Sequence, residues 1–124
     1  MDPGIPRSAR PAPPPPAFDL TVRDTGTWIV VAPTGDIDIA TVDRVRSALR
    51  DAKGDAALDL REVTFLDTSG LRVIIQEDRR AREEGRRFAL VAGSPEVLRV
   101  LEIAGVADRL DRLDPADAGG GGHA

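Results

Sequence analysis

The chain reads as a single α/β layer domain with a mixed β-sheet packed with helices. Three observations predict this. Short β-branched runs alternate with amphipathic stretches of helical period. The first two runs are separated only by Arg23 and the turn signal Asp24-Thr25-Gly26-Thr27, so they pair as an antiparallel hairpin. Each later strand is followed by a helical stretch, and a helix crossover returns the next strand parallel. With 124 residues, 41% of them hydrophobic, the chain suffices for one domain with one core. Aromatics are only 3%, so that core is aliphatic and alanine-rich.

In chain order, Phe18-Asp19-Leu20-Thr21-Val22 alternates with period two, as a half-exposed strand does. Trp28-Ile29-Val30-Val31-Ala32 is the second strand, and Pro33, with no amide to donate, is expected to end it or mark an edge. Thr41 suits a helix N-cap; Val42, Val45, Ala48, Leu49 and Ala52 trace one face, and Gly54 is a stop. Ala57 to Leu60 is a short buried strand. A second helix runs from near Ser69 to Gly85, and Phe88 to Ala92 is a further strand. Ser94-Pro95-Glu96 combines an N-cap, a proline at the first helical position and an early acid. Val97, Val100, Leu101 and Ala104 form the inner face of that third helix, and Gly105 ends it. Leu110 to Leu113 is a last short strand or a turn of helix. The order is β-β-α-β-α-β-α.

The domain is expected over residues 17–114. Residues 1–16 are dominated by proline, with Pro13 to Pro16 consecutive, and cannot build a core. They read as a flexible or polyproline arm, with a docking motif for a proline-binding domain as the alternative. The Gly-rich residues 115–124 are expected to be disordered. A formal net charge of −4, with bases and acids interleaved, argues against direct nucleic-acid binding. No apolar run approaches the ~20 residues of a membrane span, and no apolar h-region marks a secretory signal. The absence of cysteine removes disulfides and thiolate metal sites. The lone His123 lies in the tail, so neither a metal nor a cofactor is expected.

Chemistry concentrates in Phe65-Leu66-Asp67-Thr68-Ser69-Gly70-Leu71, where four small polar residues interrupt an apolar run just before a helix. Such a junction displays hydroxyls beside unpaired amides on the positive end of a helix dipole. Gly70 lets another backbone approach Ser69 closely, and Asp67 is near enough to alter the field there. The same residues are also preferred N-caps, a purely structural reason for their presence. Enzymatic readings fit poorly. Asp-Thr-Ser-Gly breaks the Asp-Thr-Gly pattern of aspartic proteases, and a serine nucleophile lacks a histidine base within the domain. A phosphate-binding loop wants a Gly-rich run ending in Lys, and the one lysine, Lys53, ends another helix.

Residues from about 18 to 113 resemble a STAS domain of the anti-sigma factor antagonist family. The matching stretches are Thr34-Gly35-Asp36-Ile37-Asp38, Leu58 through Leu71 including Asp67-Thr68-Ser69-Gly70-Leu71, and Leu90-Val91-Ala92-Gly93-Ser94-Pro95. The resemblance implies a cytoplasmic bacterial regulator in a partner-switching circuit. The unphosphorylated antagonist would bind an anti-sigma factor, a serine kinase with a histidine-kinase-like ATPase fold, and so release a sigma factor. Phosphorylation would switch binding off, and a metal-dependent serine phosphatase would reset it. By position the acceptor is Ser69, with Thr68 as the neighbouring hydroxyl. Asp36, Asp38, Asp67, Thr68, Ser69, Gly70, Leu71 and Arg72 are the implied partner-binding residues.

Charge explains how such a switch would act. A phosphoserine adds about −1.5 to −2 charges, tolerated at a helix N-terminus. A partner covering the turn must then desolvate a dianion, and about 2.8 kcal/mol suffices for a hundredfold loss of affinity. Asp36 and Asp38 share one face if extended, contacting a partner or sitting in a solvated loop. Asp59, inside an apolar strand, calls for a hydrogen-bonded structural role. Arg72, three residues after Ser69, either pairs with the phosphate and slows its removal or is simply solvated. Asp78 falls on the stripe of Leu71, Ile74 and Ile75, and the charged run Glu77 to Arg87 is a solvated face or a second contact surface. The alternative within the family is a STAS subunit of a lipid-transport ATPase complex, which needs no phosphorylation cycle. A free-standing ligand-binding module has no pocket signature, and an enzyme is the least supported reading.

Overall fold

A computed structural model describes residues 17–119; the expected Pro-rich arm, residues 1–16, and residues 120–124 of the tail lie outside them. The elements are β1 (Asp19–Asp24), β2 (Ile29–Ile37), α1 (Val42–Asp51), β3 (Ala56–Asp59), β4 (Glu62–Leu66), α2 (Thr68–Glu83), β5 (Phe88–Val91), α3 (Pro95–Ile103), β6 (Asp111–Arg112) and α4 (Pro115–Ala118), with a 3-10 turn over Ala107–Arg109. Among the described residues, six strands form one mixed sheet in the order β1-β2-β3-β5-β6, with β4 also paired to β2. The β1–β2 hairpin is antiparallel and the other pairs are parallel.

Period-two alternation divides the core. Val31, Leu58 and Leu90 face α1, α2 and α3, whose Val45, Leu49, Ile74, Val97 and Leu101 complete the main cluster. Val30, Ala57, Ala89 and Val91 face the other way, under Trp28, Leu113 and Ala118. Small side chains on this second face let a single turn of helix cover it.

The added elements each have a local cause. β4 is an added strand: the sequence predicts a strand from Ala57 only to Leu60 and none before α2, whereas β3 and β4 lie in one line along β2, interrupted at Leu60–Arg61. Val31 faces Leu58 before the break and Thr34 faces Glu62 after it, and a second register shift follows between Gly35 and Asp36. That irregularity spoils the alternation from which a strand is read. Pro33 does not end β2 but sits within it, opposite Leu20 of β1. The Ile29 amide donates to Asp55 O on the β3 flank. Alternation puts the Pro33 nitrogen on that flank too, opposite the gap between β3 and β4, so no ladder bond is lost. Leu110–Leu113 resolves as strand β6. Order also continues past residue 114: Asp114 Oδ1 caps Ala116 N at 2.8 Å, Pro115 opens α4, and Ala118 is fully buried.

Two helix readings change. Ala104 is exposed rather than on the inner face of α3, whose chain turns away just after Ile103. The charged end of α2 is not wholly solvated: Glu77 is buried between Arg80 and Arg86, and these arginines reach Leu49 O and Gly54 O. Asp78 pairs with Arg82 at 3.0 Å. Asp59 lies on the second face of β3, where Arg23 and Arg61 each bind its Oδ2 at 2.8 Å.

Candidate functional site

β4 delivers Asp67 to the start of α2, and the Asp67 amide donates to Ile37 O, so the turn lies beside the end of β2. Asp67 is the N-cap: its Oδ1 accepts from Ser69 N at 2.8 Å and Gly70 N at 3.3 Å. It also accepts from Ser69 Oγ at 2.5 Å. The structural and functional readings of this turn are therefore one arrangement, since the carboxylate that caps the helix also holds the hydroxyl. That hydroxyl bond, chiefly, together with the Gly70 and Ser69 amides, keeps the Asp67 carboxyl below its ordinary value against the effect of burial. Asp67 is consequently ionised at neutral pH.

Gly70 is buried. A Cβ there would overlap Leu66 Cδ1 and lie 3.0 Å from Ile37 Cγ2, so α2 enters the core directly behind Ser69. Ser69 is half-buried and Thr68 exposed. Leu71 and Arg72 follow along a groove of about 270 Å³ on α2 that also takes in Thr68, Ile75, Gln76 and Arg79.

The C-terminal end of β2 and the loop after it form the other half of this end of the sheet: Asp36 lies within β2, paired with Phe65, rather than in a solvated loop, and only Asp38 follows the strand. Asp36 Oδ1 accepts from Thr64 Oγ1 of β4 at 2.6 Å. Asp38 Oδ1 accepts from Ala40 N at 2.9 Å. Thr41 stands at the N-cap position of α1 but makes no side-chain cap bond. Its Oγ1 instead donates to Asp36 O at 2.7 Å and accepts from Asp38 N at 3.0 Å, closing the loop on itself. The structure thus brings Asp36, Asp38 and Asp67–Arg72 to one end of the fold. It places three further residues there that are not among the implied partner-binding residues: Thr64, Phe65 and Ile39. Phe65 and Ile39 are 51% and 79% exposed. Ile39 stands between Asp38 and Ala40 in the loop before α1, and the bulge that turns Phe65 outward has no sequence signature.

The family model for the STAS domain matches residues 19–116. Among solved structures, an anti-sigma factor antagonist from Mycobacterium paratuberculosis shares 24% identity over 82% of this chain and 91% of its own, with a TM-score of 0.72. The anti-sigma factor antagonist SpoIIAA in its unphosphorylated form shares 21% over 82% and 92%, at a TM-score of 0.65. The Bacillus cell fate determinant SpoIIAA in its phosphorylated form shares 20% over 82% and 96%, at 0.61. At these identities the likeness is one of fold.

Proposed function

The chain belongs to the STAS domain family, and on that premise we propose that it is an anti-sigma factor antagonist of a cytoplasmic bacterial partner-switching circuit. Its unphosphorylated form binds an anti-sigma factor serine kinase with a histidine-kinase-like ATPase fold, and so frees a sigma factor. Phosphorylation of Ser69 ends that binding, and a metal-dependent phosphatase restores it. The chain itself performs no catalytic step. The observation that carries the reading is the Ser69 hydroxyl held 2.5 Å from the Asp67 carboxylate at the first turn of α2.

Unmodified, Ser69 presents a compact turn whose hydroxyl proton is already spent on Asp67, so a partner covers it without stranding a donor. Phosphorylation removes that proton and sets a phosphate of about −1.5 to −2 charges beside an ionised carboxylate. Asp67 loses one of its three bonds and gains a repulsive neighbour. The amides of Ser69 and Gly70 become contested between carboxylate and phosphate, while the rest of α2 stays anchored by Gly70 against Ile37 and Leu66. The change is local, and the desolvation of added charge under the partner supplies the switch.

Affinity capture from native lysate with Ser69→Ala and Ser69→Glu baits, read by mass spectrometry, tests this. Ser69→Ala forgoes one hydrogen bond, about 1 kcal/mol, and stays folded. The alanine bait is expected to retain a histidine-kinase-like ATPase that the glutamate bait loses, with affinity lower by about a hundredfold, or 2.8 kcal/mol. A transporter ATPase on both baits would replace this reading with the lipid-transport one. Arg72, exposed one turn beyond Ser69, is expected to hold the phosphate. Arg72→Ala should accelerate phosphatase release of phosphate from phospho-Ser69 several-fold, and an unchanged rate would remove Arg72 from the site.

A further inference from the structure

β1 is an edge of the sheet: among the described residues its outer side has no strand beside it. The register with β2 fixes what that edge presents. Trp28 O accepts from Thr25 N at 2.9 Å, and the Ile29 amide points the other way, to Asp55 O. Alternation from there turns the backbone groups of Asp19, Thr21 and Arg23 toward β2, where they face Thr34, Ala32 and Val30. The N–H and C=O groups of Leu20 and Val22 point outward. Leu20 stands opposite Pro33, which has no amide to offer it.

Side chains divide the same edge by face. Leu20 and Val22 lie on the helix-covered face, where Leu20 packs against the core and Val22 is 53% exposed. Asp19, Thr21 and Arg23 lie on the second face, with Asp19 and Thr21 exposed. Arg23 donates from Nε to Ala118 O and from Nη2 to Asp59 Oδ2, so its Nη1 has no hydrogen bond among the described residues. Charges on an edge strand usually deter a second strand. Here two opposite charges bracket Thr21 symmetrically, which makes β1 complementary to its own antiparallel copy.

We propose that a second copy of this chain occupies the edge, the two β1 strands pairing antiparallel about a two-fold axis at Thr21. Leu20 of each copy then exchanges hydrogen bonds with Val22 of the other, about four in all, and the exposed Val22 covers Leu20. Asp19 faces Arg23 at two places, within reach of its Nη1, and Thr21 faces Thr21. The neighbouring registers lose this match. Centred on Val22, Leu20 falls against Asp24; centred on Leu20, Asp19 falls against Thr21 and Arg23 against Ala17. Asp19 opposite Thr34 sets the start of β1 at the same end of the sheet as the Ser69 turn. The two-fold axis sends the two turns to opposite ends of one continuous sheet, so both stay open and the pairing does not depend on the proposed switch.

Sedimentation of the full chain over a dilution series tests this, and a monomer–dimer equilibrium is expected. Val22→Pro removes an outward donor and no bond to β2, and should abolish the dimer while its amide NMR spectrum stays dispersed. Asp19→Lys sets like charges opposite each other at two places and should weaken the dimer about tenfold. The native chain has no cysteine, so Thr21→Cys reads the register. Antiparallel neighbours that share no hydrogen bond lie about 4.5 Å apart, within disulfide range. Oxidation should therefore cross-link the Thr21→Cys chain into a dimer much faster than the Thr27→Cys chain, whose exposed position is in the β1–β2 turn. A chain monomeric at every concentration, a dimer undiminished by Val22→Pro and Asp19→Lys, or equal cross-linking at the two positions would overturn the proposal.

Discussion

Gly93→Ala is expected to destabilise the fold by about 3 kcal/mol, the upper range for forcing extra atoms into a packed site. In a domain of this size that lowers Tm by roughly 15 °C. Gly93 follows β5 and precedes the Ser94 cap of α3. A Cβ on it would overlap the Leu60 carbonyl oxygen and lie 2.9 Å from the Leu60 carbonyl carbon. That carbonyl has no room to retreat. Its oxygen accepts from Val63 N at 3.1 Å and the Leu60 amide donates to Val91 O at 3.0 Å, while the side chain is fully buried. Relief would require the junction between β3 and β4 to move, and with it the strand that delivers Asp67. Gly70→Ala is the contrast: its added methyl meets side-chain atoms, Leu66 Cδ1 and Ile37 Cγ2, rather than backbone, so a loss nearer 1 kcal/mol is expected. Urea midpoints of the two variants test the distinction. Equal midpoints would mean that the Leu60 backbone is as free to yield as a leucine methyl.

Asp59→Asn should cost a similar amount, about 3 kcal/mol, because removing one partner of a buried ion pair leaves the others uncompensated. Asp59 is 3% exposed. Arg61 binds it through Nε and a terminal nitrogen, and Arg23 through another. The same arginines donate to Ala118 O and Gly119 O at 3.0 Å, so the carboxylate aims the two groups that fasten α4 over the second face of the sheet. Burial pushes this carboxyl up, but the bonds from Arg61 and Arg23 outweigh it and its pKa lies below the ordinary 3.8. With the folded value depressed, the unfolded chain binds more protons across that window. The stabilisation is therefore complete above the unfolded pKa and is lost as pH falls through the folded one. Urea unfolding should show the full gap between native protein and Asp59→Asn at pH 7 and a narrower gap at pH 3. A gap independent of pH would assign the loss to shape rather than charge.

The Asp67–Gly70 turn was legible in the chain because capping is local. An acid two and three residues ahead of free amides finds them whatever the rest of the fold does. The same holds for Ser94-Pro95, which caps α3 with Ser94 Oγ on Val97 N at 3.2 Å. Asp59 announced itself as an acid in an apolar strand, though its partners, Arg23 and Arg61, lie on different segments. Reading failed where an answer depended on a neighbour distant in sequence. Pro33 is tolerated within β2 because the adjacent ladder is interrupted at Leu60–Arg61. Phe65 faces outward because of a register shift against Asp36.

Period and punctuation thus determined the class of fold, the hairpin, the three long helices and the place of the hydroxyl turn, since each depends on residues within a few positions of one another. Tertiary structure alone decided that β3 and β4 share one line along β2, and that α4 closes the second face. It also decided that Asp36, Asp38, Ser69 and the entry of the N-terminal segment meet at one end of the sheet. Strand pairing sets those relations, and pairing is an energy shared between segments that no single stretch of chain carries by itself.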